Sequence, residues 1–168
     1  GIVFFLVVVS TQAQSNALAF DGAGDKVIVA NNSALNFSTG TVEAWVKPGA
    51  SSSHQGFLMM RTSVSNIRWS AHISQATSQI GIYNGTNYYA VGVGTISANT
   101  WYHVALVFSG SNTLVYVNGV LKGSTGNGIN TTSFNIPFSM GNNDADYPAE
   151  DFLGSIDEVR IWNTARTQ

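Results

Sequence analysis

Apolar and polar residues alternate with a period of two in short runs along this chain of 168 residues, and Gly, Asn and Ser separate the runs. That period places successive side chains on opposite faces of an extended strand. It predicts strands near residues 17–20, 26–30, 41–47, 56–61, 67–73, 79–83, 87–91, 101–108, 113–117, 120–122, 138–141 and 154–162. No window of eleven residues carries a helical stripe. Many short strands at fairly even spacing, with prolines only at 48, 137 and 148, argue for an antiparallel sandwich or barrel.

Local chemistry sharpens two turns. Asn118-Gly119 stands between apolar runs, where both central residues of a type I′ turn can take positive φ, and Asn84-Gly85 is expected to repeat the device. In 101–108 the alternating sets are Trp101, His103, Ala105, Val107 and Tyr102, Val104, Leu106, Phe108. Both are largely apolar, which marks a central strand covered on two sides. His103 is therefore expected to be a satisfied core histidine, and Trp45, Trp101 and Trp162 to be core residues. Trp69 shares one face with Ile67, Ala71 and Ile73, opposite Arg68, Ser70 and His72.

The run WYHVALVFSGSNTLVYVNGVLK at 101–122, followed by GSIDEVRIW at 154–162, is preceded in order by AFDGAGDKVIV at 19–29 and TVEAWVKP at 41–48. Together these segments resemble the laminin-G-like branch of the concanavalin A-like lectin and glucanase superfamily, over roughly residues 16–168. The resemblance implies an all-β fold, an antiparallel two-sheet jelly-roll β-sandwich. It leaves function open, because the superfamily holds lectins, adhesion modules, enzymes and spacers. It also implies a structural calcium near Asp21 of the FDG segment and Asp157 of the IDEV segment, helped by carbonyls around Gly22 and Gly24. With Asp25, the expected metal set is Asp21, Gly22, Asp25 and Asp157. Such an ion would close the sandwich between its first and last strands where no disulfide can. Resembling domains continue past residues 163–168 into a polar helix and a final aromatic strand, so an open edge or exposed apolar strip is expected here.

Composition narrows the setting. The formal charge is −2 and the seven Lys and Arg residues are scattered, which offers no phosphate-tracking surface for nucleic acid. Only 10% of residues are charged. Ser, Thr, Asn and Gly take their place, as in an extracellular β module. Ile2 to Val9 is an apolar run of eight, far short of the roughly 20 needed to span a bilayer. It reads as the core of a secretory signal peptide over residues 1–13, truncated at its start, with Thr11 and Ala13 as the small residues before a cut at Gln14. The alternative is a buried first strand. The remaining 155 residues, 14–168, suffice for one domain with its own core. The absence of cysteine removes thiol chemistry and fits a bacterial extracellular protein better than an animal one.

Candidate chemistry concentrates late in the chain. Six of the nine acidic residues fall in the last twenty-five, and the loop NNDADYPAED at 142–151 gathers the hard oxygen ligands that Ca²⁺ takes. Asn142, Asn143, Asp144 and Asp146 could hold an exposed ion that binds sugar hydroxyls; its spacing does not match an EF-hand. Aromatic faces offer a second route to sugars. Tyr83, Tyr88, Tyr89 and Tyr147 are the candidates, with Asn84 beside them. Tyr88 and Tyr89 are adjacent in a strand and leave on opposite faces, so at most one is core.

Two enzyme readings fail on the residues. The superfamily's glucanases resemble one another in a Glu-x-Asp-x-Glu strand, whereas Ser155 and Val159 flank Asp157 here and Glu158 points the other way. His54, His72 and His103 are far apart in sequence and lack metal spacing, and no Gly-x-Ser-x-Gly elbow occurs. The expectation is a non-catalytic, secreted or cell-surface recognition module, part of a longer protein, that binds a glycan or an extracellular protein with calcium as a candidate cofactor. The rival is a structural spacer.

Overall fold

The computed structural model describes residues 16–74, 78–92, 96–132 and 135–166. The leader expected at 1–13 lies outside them. All twelve expected strands form: β1 (Leu18–Asp21), β2 (Val27–Val29), β3 (Thr39–Pro48), β4 (His54–Arg61), β5 (Ile67–Ser74), β6 (Gln79–Tyr83), β7 (Tyr88–Val91), β8 (Tyr102–Ser109), β9 (Thr113–Val117), β10 (Val120–Ser124), β11 (Phe138–Met140) and β12 (Leu153–Trp162). The only helical pieces among the described residues are two single 3₁₀ turns, Ser33–Leu35 and Pro148–Glu150.

The strands form two six-stranded antiparallel sheets, ordered β1-β12-β3-β8-β9-β10 and β2-β11-β4-β5-β6-β7. The inward residues alternate along each strand: Val42, Ala44 and Val46 on β3, Val104, Leu106 and Phe108 on β8, and Trp69, Ala71 and Ile73 on β5, all at most 1% exposed. Trp69 joins the layers, its ring 5.2 Å from Phe108 of the first sheet and 6.3 Å from Phe138 of its own. Aromatic pairs of this kind contribute about 0.5–1.5 kcal/mol beyond their buried area. Strand β8 lies inside its sheet, between β3 and β9, as its two apolar faces require.

Bulges decide which residues face outward. A register shift between Gly56 and Leu58 turns both Phe57 and Leu58 into the core and so puts Met59 and Arg61 on the outer face, while a second shift, opposite Met60 and Arg61, leaves Arg68 as the extra residue on β5. On β12 a shift between Asp157 and Arg160, with Glu158 at φ 51°, leaves Glu158 exposed and paired with Arg160.

Three expectations are corrected. Asn118 and Gly119 take φ 50° and 76° as a type I′ turn does, but Asn84-Gly85 is not such a turn. Tyr83 pairs with Tyr88 across a four-residue loop, 84–87, whose Asn84 side-chain oxygen accepts from the N–H groups of Thr86 and Asn87. Trp45, Trp101 and Trp162 are not core. Each lies on the outer side of the first sheet, Trp45 edge-on to His103 at 5.6 Å and Trp162 donating to Glu43 at 3.2 Å. His103 is likewise outward and partly exposed, 3.8 Å from Glu43. Indole and imidazole are large and carry a polar nitrogen, so alternation on a two-sided strand does not say which face takes them. The edge strands carry exposed apolar groups, Leu18 on β1, Ile28 and Val29 on β2, and Val120 and Leu121 on β10.

Candidate functional site

The outer face of the second sheet is polar, yet Ser70, His72 and Ser74 on β5 and Gln79 on β6 are all less than 9% exposed. Tyr88 and the loop at 142–151, returning across the face, form a cleft there. Asn143 N–H donates to Met59 Sδ, Ala145 N–H to Thr62 O, and Asp146 Oδ2 accepts from Val64 N–H at 2.7 Å. Asp144 reaches furthest down, its Oδ2 2.5 Å from Arg61 Nη2 with both side chains at most 6% exposed. Asn142 Nδ2 donates to Tyr147 O and to Asp151 Oδ1, which shapes the loop's last turn. Two of the candidate ion ligands, Asn142 Oδ1 and Asp144 Oδ1, accept from the N–H groups of Asp144 and Asp146 within the loop, while Asp144 Oδ2 and Asp146 Oδ2 tie it to Arg61 and Val64.

Between that loop and β7 remains a cleft of about 300 Å³, lined by His54, Arg61, Val64, His72, Tyr83, Tyr88, Tyr147 and Glu150. Tyr88 and Tyr147 are 42% and 47% exposed, so their rings are available to a ligand. The Arg61 guanidinium lies 5.3 Å from the centroid of the Tyr83 ring and 5.2 Å from that of Tyr147. Tyr88 crosses β6 at Gly81, where an added Cβ would stand 1.8 Å from its hydroxyl. Its hydroxyl is 3.2 Å from His54 Nδ1, and its ring meets His72 edge-on.

Glu150 Oε2 is 3.3 Å from His72 Nδ1, and His72 Nε2 is 2.7 Å from Ser70 Oγ. Burial works to raise the Glu150 pKa, but the contact with His72 and the charges of His72, His54 and Arg61 outweigh it and hold the carboxyl below its ordinary value. Burial first, and then the Glu150 charge, push the Tyr88 phenol up to about 12. Ser70, His72 and Glu150 have the connectivity of a hydrolytic triad. Ser70, however, is fully buried, so no substrate carbonyl can reach its hydroxyl in this arrangement.

The other expected residues are placed as follows. Tyr89 leaves on the core side, as alternation with Tyr88 requires, and its hydroxyl accepts from Asn127 Nδ2. Asn84 is buried in its own loop and donates to Gly128 O. Asp21 and Asp25 stand together in the turn after β1, where Asp25 Oδ2 accepts from Asp21 N–H and Asp21 Oδ1 from Ala23 N–H. Asp157 is not with them. Asp21 is opposite Leu153 and Leu18 opposite Ile156, so Asp157 stands four register positions away, about 13 Å along the strand. A calcium shared by Asp21 and Asp157 does not fit that register. Among the described residues no three His, Asp or Glu side chains converge as a metal site would need.

Sequence reasoning missed Arg61, Glu150, Gly81 and the joining of His54 with His72. The one available signal was the polar alternation of Arg68, Ser70 and His72 opposite an apolar face.

Residues 21–168 match the Laminin_G_3 family model, described as Concanavalin A-like lectin/glucanases superfamily, and the chain belongs to that family. No curated protein matches the sequence. Solved structures share the fold. A heptameric SAP-like pentraxin from Limulus polyphemus superposes with a TM-score of 0.66 at 19% identity, over 89% of this chain and 76% of that one. Domain 4 of AbnA, a GH43 extracellular arabinanase from Geobacillus stearothermophilus solved with arabinotriose, gives 0.66 at 23% identity, over 90% and 72%. The Ruminococcus gnavus IT-sialidase CBM40 gives 0.66 at 12% identity, over 92% and 93%.

Proposed function

We propose that this domain is a non-catalytic carbohydrate-binding module, of a secreted or cell-surface protein, whose ligand enters the cleft on the outer face of the second sheet. The observation that carries the reading is the pair of exposed rings, Tyr88 and Tyr147, flanking Glu150 and the two histidines in a cleft of about 300 Å³. Tyrosine faces pack against pyranose C–H groups while neighbouring polar atoms bond the hydroxyls. The arabinotriose complex of the arabinanase domain and the carbohydrate-binding module of the sialidase, both on this fold, support it.

Among the described residues that line the cleft Glu150 is the one carboxylate, and Asp144 is sealed against Arg61. Glycoside hydrolysis needs two facing carboxyls about 5–9 Å apart. Calcium enters the proposal only at the turn 21–25, where carbonyl oxygens would have to complete the six to eight ligands it takes.

A glycan array run in calcium and again in EDTA tests the reading. Selective binding that Tyr88→Ala abolishes would support it. No binding in either buffer would move the function to a protein partner or to a spacer.

A further inference from the structure

We propose that the cleft selects uncharged glycans and that Glu150 is the residue that excludes acidic ones. This rests on the carbohydrate reading above.

A uronate or sialate is held by a cation with free hydrogen-bonding directions. The cleft has one guanidinium, and its charge is balanced: Arg61 Nη2 is 2.5 Å from Asp144 Oδ2, its side chain is 6% exposed, its Nε, which has no hydrogen-bond partner, is buried, and the rings of Tyr83 and Tyr147 stand 5.3 and 5.2 Å away. Arg61 and Asp144 together add no net charge to the wall. His72 is engaged on both sides, by Glu150 at one ring nitrogen and Ser70 at the other, and only 4% of it is exposed. His54 Nδ1 is taken up by the Tyr88 hydroxyl. Glu150 is what remains, with a quarter of its side chain open to the cleft. A ligand carboxylate stacked on Tyr88 would therefore face a like charge, whereas a neutral sugar would find an acceptor for its hydroxyls.

Titration calorimetry with matched glycans reads this directly: lactose against 3′-sialyllactose, and galactotetraose against galacturonotetraose. At pH 7 in low salt, the neutral member of a bound pair should be at least about tenfold tighter. Glu150→Gln should shrink that ratio severalfold, chiefly by tightening the acidic member. In the unaltered protein, raising the salt to about 0.5 M should also shrink the ratio, since screening weakens exposed charges. An acidic member binding as tightly as its neutral partner would overturn the inference and leave the carbohydrate reading standing. So would a ratio unmoved by both the substitution and salt, which would make the discrimination steric. Binding of no member of either pair would overturn both.

Discussion

Arg61 on β4 and Asp144 in the returning loop approach to 2.5 Å with almost no solvent on either side chain, and this pair fastens the loop over the sheet. Removing one partner from a buried pair leaves an unbalanced charge in a poorly hydrated place, at a cost of about 3–5 kcal/mol. Arg61→Met and Asp144→Asn should each lower the urea midpoint strongly. The double variant Arg61→Met, Asp144→Leu should recover much of the loss, because two apolar groups leave nothing unpaired.

Tyr88 and Tyr89 should separate binding from stability. Tyr88→Ala removes an exposed ring and should weaken glycan binding about tenfold while changing stability by less than about 0.5 kcal/mol. Tyr89→Ala removes a ring packed on the core and should cost about 2 kcal/mol of stability. Calorimetry and urea titration of both variants check this, and equal losses of stability would remove Tyr88 from the site.

Gly81 should matter through Tyr88. Gly81→Ala places a methyl where the Tyr88 hydroxyl now lies, and a flexible ring gives way more cheaply than the backbone. Glycan binding should fall as far as in Tyr88→Ala with the fold intact, read by calorimetry beside a circular dichroism melt.

Acid should loosen the loop through Glu150. Its folded pKa is held below the ordinary 4.5, so its contribution is complete above about that pH and disappears as the pH falls through the lower folded value. His72, His54, Arg61, Asp144 and Tyr88 face or surround it and set the size of the effect. Comparing melts of the unaltered protein and Glu150→Gln from pH 7 to pH 3 should show the two curves converging in acid. At the other extreme the Tyr88 phenol, pushed up to about 12 from 10.0, favours the fold below pH 10, and that share is lost between pH 10 and about 12. The last phenolate step in an absorbance titration should vanish in Tyr88→Phe.

Asp157 should be silent toward calcium. It lies about 13 Å from Asp21 along the paired strands, so Asp157→Ala should shift the melting temperature equally in calcium and in EDTA. A loss confined to the calcium buffer would place an ion between the chain's first and last strands after all.

Alternation by itself determined twelve strands, the two faces of β5, and the split of Tyr88 from Tyr89, because a strand's two faces are a local property of its own residues. The Asn118-Gly119 turn was legible for the same reason, since positive φ at both positions is decided within two residues. The outward tryptophans and the four-residue loop at 84–87 were not, because each depends on what covers a face or where a partner strand begins. The cleft lay further still from view. Arg61 faces it only through a bulge against β5, Asp144 and Glu150 reach it only when a loop some eighty residues later folds back, and Gly81 matters only because Tyr88 crosses it. Pairing register and loop return are set by the whole sandwich closing around Trp69, and no window of sequence contains them.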